Sequence, residues 1–165
     1  MLSETSDLER WIISDVAIKE LRENSQGRWW NHPITSVGTI ILQVPPSLLP
    51  DSDHEKVVRQ SLIHLIGMNL LQPVRSIDED GCRITLEGIG MFRKHLLPAK
   101  IVKDKKLYNN LVDRIDGNPT IKRDLKKLGD KLRDRLEDEA IEEFVKFAMK
   151  AGSDALLYYV HMTHH

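Results

Sequence analysis

Leu8, Trp11, Ile12, Val16 and Leu21 recur at helical spacing between a Ser6-Asp7 start and an Asn24-Ser25-Gln26-Gly27 stop, which predicts an amphipathic first helix. From Ile34 to Val44 two patterns compete: the β-branched residues favour a strand, while Thr35 and Ser36 suit the cap of a short helix. The reading adopted is a short strand running into a short helix. After the turn-rich run from Pro45 to Asp53, a helix capped by Asp53 is expected from His54 to about Leu71. Its buried stripe is Val58, Leu62, Leu65, Ile66 and Leu70.

Pro73 cannot easily continue that helix, and the period changes after it. Val74-Arg75-Ser76-Ile77 and Cys82-Arg83-Ile84-Thr85 read as two short strands around Asp78-Glu79-Asp80-Gly81, whose Asp-Gly is a hairpin signal. Thr85 then caps a helix through Leu86, Ile89, Phe92 and Leu96, which Pro98 is expected to stop.

The last third reads as helical. Leu107, Leu111 and Ile115 mark a helix over roughly residues 103–116, and Pro119 suits the first turn of the next. Along that helix Ile121, Leu125, Leu128, Leu132 and Leu136 form a narrow, coiled-coil-like seam, continued by Ile141, Phe144, Val145 and Ala148. The apolar surface exceeds what these helices can hide among themselves, so the seam is the expected dimerisation face. The fold class expected is mainly α with a small β-hairpin (α+β), in two parts: residues 1–97, and a C-terminal helical region over 98–165.

Composition narrows the class. Of 165 residues 41% are hydrophobic and 30% charged, which suits a soluble globular chain and is too apolar for a disordered one. The single cysteine, Cys82, forbids an internal disulfide and a cysteine-rich zinc site, and fits a reducing compartment. The polar, acidic start lacks the features of a secretory signal, so the cytoplasm is the expected location. Trp29 to Pro50 carries no Lys, Arg, Asp or Glu and is long enough to span a bilayer. Its four prolines would leave backbone groups unsatisfied in lipid, so it is read as buried or interface-forming chain and not as a membrane span.

The near-neutral total, 24 basic against 25 acidic side chains, hides an uneven distribution. Residues 1–53 carry a net −4, residues 54–106 a net +4, and residues 118–136 seven basic against three acidic side chains, before Glu137-Asp138-Glu139 reverses the sign. Blocks of this kind are either solvated helix faces or partner surfaces.

The order helix, short strand, short helix, long helix, hairpin, helix, together with the run Leu62-Ile63-His64-Leu65-Ile66-Gly67-Met68-Asn69-Leu70-Leu71 and the passage Ile84-Thr85-Leu86-Glu87-Gly88-Ile89-Gly90-Met91-Phe92, resembles a winged-helix DNA-binding domain of the MarR-like or PadR-like kind. The resemblance covers residues 7–97 as a layout and 54–97 as sequence. It implies a sequence-specific transcriptional regulator that binds double-stranded DNA as a homodimer, with the helix from His54 in the major groove and the hairpin as wing. The residues off the apolar stripe are suited to that task. Arg59 can pair bidentately with guanine and Gln60 with adenine, Lys56 suits a phosphate, and His54, His64, Arg75 and Arg83 complete the expected DNA-binding set.

Two departures support an alternative, a winged-helix module that binds protein and not DNA. The wing tip Asp78-Glu79-Asp80 is acidic where phosphate contact calls for cations, and the charge-free segment with Trp29 and Trp30 offers aromatic anchors for a protein partner. No glycine-rich phosphate loop, HExxH or Gly-x-Ser-x-Gly elbow occurs, so no enzyme and no cofactor is expected. His161, His164 and His165 invite a metal, since two of them are three apart on a possible helix, but a frayed end explains them equally well; Glu139 and Glu143, one turn apart, have no His three residues after either, and no metal is expected. Cys82 reads as a small buried hydrophobe.

Overall fold

The computed structural model describes residues 4–25, 33–75, 80–115 and 118–135. Trp29, Trp30, Asp78, Glu79, Leu136, the apolar positions 141–148, Glu139, Glu143 and the C-terminal histidines lie outside the described residues. The protein is mainly helical with a small three-stranded antiparallel sheet, and it divides into two compact units, residues 1–92 and 93–165.

The first unit runs α1 (Asp7–Ser25), β1 (Thr35–Ser36), α2 (Val37–Gln43), a 3-10 turn (Pro46–Leu48), α3 (His54–Gly67), β2 (Leu71–Arg75), β3 (Asp80–Ile84) and α4 (Leu86–Met91). Ser6 starts α1 by accepting the Glu9 N–H at 3.2 Å. α1 buries Leu8, Ile12, Ile13, Val16, Ala17 and Leu21, which is more than one face, because β3, α3 and α4 all pack against it. Trp11, expected on the stripe, is only half-buried.

The competing patterns at residues 34–44 are both realised. Thr35 and Ser36 pair with Cys82 and Gly81 of β3, and the Ser36 hydroxyl then caps α2 by accepting the Thr39 N–H at 3.1 Å. The sheet order β1-β3-β2 puts β3 in the middle. Gly81 permits this pairing, since a Cβ there would lie 2.8 Å from the Thr35 carbonyl oxygen.

Three expectations for this unit need correction. The helix from His54 ends at Gly67, four residues early, because Asn69 adopts the left-handed conformation (φ 59°). The Asn69 N–H then reaches the Ile66 carbonyl and the Leu70 N–H the Leu65 carbonyl, each at 3.0 Å, a Schellman ending sealed by the buried pair Leu65 and Leu70. Asp53 precedes α3 but makes no side-chain capping bond; it too is left-handed (φ 55°), and only its carbonyl accepts from Val57. The hairpin strands are shifted to Leu71–Arg75 and Asp80–Ile84, so Pro73 lies within β2, opposite Cys82. An edge strand tolerates the missing N–H.

The second unit holds α5 (Leu97–Lys103), α6 (Lys105–Ile115) and α7 (Pro119–Arg135). Pro98 does not end a helix: a π-turn over Phe92–Leu96 intervenes, and Pro98 occupies the first turn of α5, where an N–H has no intrahelical partner. The helix expected over 103–116 begins instead at Lys105, because Asp104 closes α5 and caps α6, accepting the Leu107 N–H at 3.1 Å. Asn118 caps α7 through the Thr120 N–H at 3.0 Å, with Pro119 first in the helix. Among the described residues no helix is long and apolar enough to cross a membrane.

Tyr108 organises this unit. Its ring is buried, its hydroxyl donates to the Leu125 carbonyl at 2.7 Å, and the Arg133 guanidinium sits 5.4 Å from the ring centre while donating to the Val102 carbonyl at 2.9 Å. Burial pushes the Tyr108 phenol well above its ordinary pKa, and the Arg133 charge offsets part of that rise. Gly129 allows α7 to lie against the ring, which a Cβ would meet at 2.3 Å.

Candidate nucleic-acid interface

α3 buries Val58, Ser61, Leu62 and Leu65. The stripe opposite that core is Lys56, Gln60, Ile63 and Gly67, all exposed and separated by three or four residues, so they form one outward row two to three turns long. Ile63 is 69% exposed. It was missed in the sequence because it stands inside an apolar run. Its signal is phase: it falls seven residues after Lys56 and three after Gln60, off the Val58, Leu62 and Leu65 stripe.

Arg59 and His64 flank this row and are held by neighbours. The Arg59 Nε donates to the Glu55 carboxylate at 3.0 Å, and its Nη1 lies 4.0 Å from the Asp80 carboxylate on β3. The acidic wing therefore meets a cation of α3. His64 Nδ1 lies 2.7 Å from a Glu9 carboxylate oxygen of α1, and the Glu9 side chain is nearly buried, so this contact gives Glu9 a polar partner in an otherwise apolar interface. His54 is exposed at the start of α3. Arg75 is exposed at the end of β2, and Arg83 is half-buried opposite Gln72 across the ladder. Of the seven expected residues, the structure puts Lys56 and Gln60 on the open row of α3, leaves His54 exposed at the helix start in phase with Val58, ties Arg59 and His64 to carboxylates, and leaves Arg75 and Arg83 on the hairpin.

What holds the hairpin against α3 is one small knot. The Thr85 hydroxyl accepts the Gly88 N–H at 3.0 Å, capping α4, and is placed to donate to the Asn69 carbonyl at 2.6 Å or the Leu70 carbonyl at 3.0 Å. The Thr85 N–H also donates to the Leu70 carbonyl at 3.2 Å. Gly88 must be glycine for this to close, since its Cβ would stand 2.2 Å from the Leu70 oxygen. The spacing Thr-x-x-Gly thus joins the end of α3, the exit of the hairpin and the start of α4.

Cys82, in the central strand, is buried, and burial lifts its thiol pKa to about 11, with Lys19 lowering and Asp15 raising it by smaller amounts. At neutral pH it is a protonated, unreactive group. No group of three or more His, Cys, Asp or Glu side chains among the described residues could hold a metal ion.

The expected seam on α7 is divided. Leu132 is buried and Leu125 half-buried on the side of Gly129 and Tyr108, whereas Ile121 and Leu128 remain 44% and 38% exposed. One edge of the stripe therefore closes the unit's own core and the other is open.

Compared with protein-family models, curated proteins and solved structures, the chain matches none of them.

Proposed function

We propose that the chain is a winged-helix transcriptional regulator that binds double-stranded DNA, with α3 entering the major groove. The observation that carries this reading is the order α1-β1-α2-α3-β2-β3, with β3 between β1 and β2, combined with the unpaired outward row of Lys56, Gln60 and Ile63 on α3. A major groove admits such a helix. Gln60 can read adenine, Ile63 can pack on a thymine methyl group and Lys56 can reach phosphate, with exposed Arg75 as a further phosphate contact. Arg59 becomes chiefly a brace between α3 and the wing. In this reading the protein works in the cytoplasm without cofactor or catalytic step. It dimerises through the open edge of α7 at Ile121 and Leu128, presenting two α3 helices to successive grooves about 34 Å apart.

The test is binding to a selected site by wild type and by Gln60→Ala, Ile63→Ala and Lys56→Ala. The first two are expected to cost roughly 1 to 3 kcal/mol each and to relax the preference at one base pair. Lys56→Ala should weaken all sequences alike and lower the salt slope by about 1. Equal affinity and equal selectivity in all three variants would remove α3 as the reading helix.

A second reading, a winged-helix module for a protein partner, is favoured by the pairing of Arg59 with Glu55 and Asp80 and by Leu42 on α2, which like Ile63 is an exposed aliphatic. A tight partner whose binding is insensitive to salt, with no DNA affinity, would decide for it.

A further inference from the structure

Charge is distributed between the two units in a way the α3 interface does not use. Residues 1–92 hold eight basic and thirteen acidic side chains, a net −5, while residues 93–165 hold sixteen basic and twelve acidic, a net +4, with the excess concentrated in residues 93–135 (fourteen basic, six acidic). The unit that carries α3 is the acidic one. Electrostatic attraction to a polyanion must therefore come chiefly from the other.

Within the second unit the cations converge on α7. Lys122, Arg123, Lys126 and Lys127 line an open cleft of about 450 Å³, with Asp113 and Asp130 at its margin. Both acids are already neutralised. Asp113 accepts from Lys126 at 2.7 Å, and Asp130 contacts Arg133 at 2.6 Å and Lys105 at 3.4 Å; these hydrogen bonds and charges hold both carboxyls below the usual carboxylate pKa. The exposed cations of α7 are Arg123, Lys127 and Lys131, with half-buried Lys122 beside them and the exposed acids Asp124 and Asp134 interspersed among them. Arg123, Lys127 and Lys131 follow one another at four-residue spacing, so they run as one row on the helix face away from Leu125 and Leu132, and Lys122 stands at its side toward the cleft.

We propose that this basic band on α7 is a second nucleic-acid contact, binding the phosphate backbone of duplex DNA without reading bases. Flexible lysines and the absence of an exposed aromatic side chain among the described residues of α7 suit phosphates and not stacked bases. A membrane surface is a poorer occupant. Of the four aliphatic residues of α7, Leu132 is buried and Leu125 half-buried, and only Ile121 and Leu128 remain open to enter lipid. The proposal rests on the DNA-binding reading above and assigns the greater part of its sequence-independent affinity to α7.

The experiment uses the full chain and a fluorescent duplex of mixed sequence, with affinity measured by anisotropy across a salt series. The compared variants are a quadruple Lys122→Gln, Arg123→Gln, Lys127→Gln, Lys131→Gln chain and a double Lys56→Gln, Arg75→Gln chain. Glutamine has nearly the helix propensity of the residues it replaces, and unchanged thermal melting verifies that each variant folds. The quadruple variant is expected to lower the slope of log affinity against log salt by about 3 to 4, and the double variant by no more than about 2.

A slope unchanged in the quadruple variant overturns the α7 contact and leaves the α3 reading intact. A lowered slope, with no sequence preference in wild type and none lost in the α3 variants, supports the α7 contact and overturns α3 as the reading helix. Absence of duplex binding at low salt, with binding instead to polyglutamate or to phosphatidylserine vesicles that the quadruple variant loses, overturns the proposal and assigns the band to an acidic protein or a lipid surface.

Discussion

Replacing Gly88 by alanine tests whether the knot at Thr85 fixes the hairpin to α3. An ideal Cβ at Gly88 would stand 2.2 Å from the Leu70 carbonyl oxygen and 2.7 Å from Ile84 Cγ1, and that oxygen already accepts from the Thr85 N–H and lies within reach of the Thr85 hydroxyl. Relief requires α4 to move away by about an ångström, which lengthens the Thr85 bonds to Leu70 and Asn69. Overpacking of this kind costs roughly 1 to 3 kcal/mol, and weakening one or two local hydrogen bonds adds about 1 kcal/mol each. The better helix propensity of alanine returns about 1 kcal/mol, leaving a net loss of about 1 to 4 kcal/mol by that arithmetic. Gly90 is the internal control: it lies in the same helix with nothing within 4 Å of its would-be Cβ. Gly90→Ala should therefore stabilise by about 0.5 to 1 kcal/mol. Urea unfolding of the two variants and wild type reads both numbers through the midpoint at constant slope. A Gly88→Ala protein as stable as Gly90→Ala would refute the close packing of α4 on the end of α3.

Gly129→Ala makes the same test in the second unit: with the Tyr108 ring 2.3 Å from the new Cβ and its hydroxyl held by Leu125, the expected loss is about 1 to 3 kcal/mol, read by thermal melting. Cys82 should resist an aromatic disulfide reagent at pH 8 in the native protein and react fully in denaturant; prompt native reaction would contradict its burial. Because its folded pKa is raised, to about 11 from 9.0, the stability it contributes is complete below 9.0 and declines as pH rises from there toward 11, which melting in that alkaline range measures. Asp113 and Asp130 act in the opposite sense. Their folded pKa values are depressed, so their contribution is complete above 3.8 and is lost as pH falls through the lower folded values; an Asp113→Asn, Asp130→Asn chain should show a flatter acid limb. These pairs are exposed, so the change is small and vanishes in high salt.

Much of this architecture can be read from the chain because local signals agree with the packing. Ser6, Ser36, Thr85 and Asn118 each cap the helix that follows them, whereas Asp80-Gly81, expected as the hairpin turn, lies within β3 opposite Arg75 and Val74. The errors have physical causes. An apolar stripe through Leu70 suggested a longer α3, but the left-handed turn at Asn69 sends Leu70 and Leu71 into the core from the next strand, and periodicity does not register that change. Pro98 looked like a stop, yet a proline is equally at home in the first turn of a new helix. At the interface, residue type was a poorer guide than phase. Arg59 has the chemistry to read guanine but faces Glu55 and Asp80, while Ile63, with no polar group, stands in the open row. The α7 seam shows a similar limit, since spacing alone does not separate Leu132, which closes the unit, from Leu128, which does not.

The most direct measurement is selection of bound fragments from a pool of source-genome DNA by the full chain at several salt concentrations, followed by sequencing. The account predicts enrichment of a shared, roughly palindromic site that persists at physiological salt and is lost with Gln60→Ala and Ile63→Ala together. Retention of fragments without a common site, disappearing as salt rises and unaffected by those substitutions, would contradict the assignment of α3 as a DNA-reading helix.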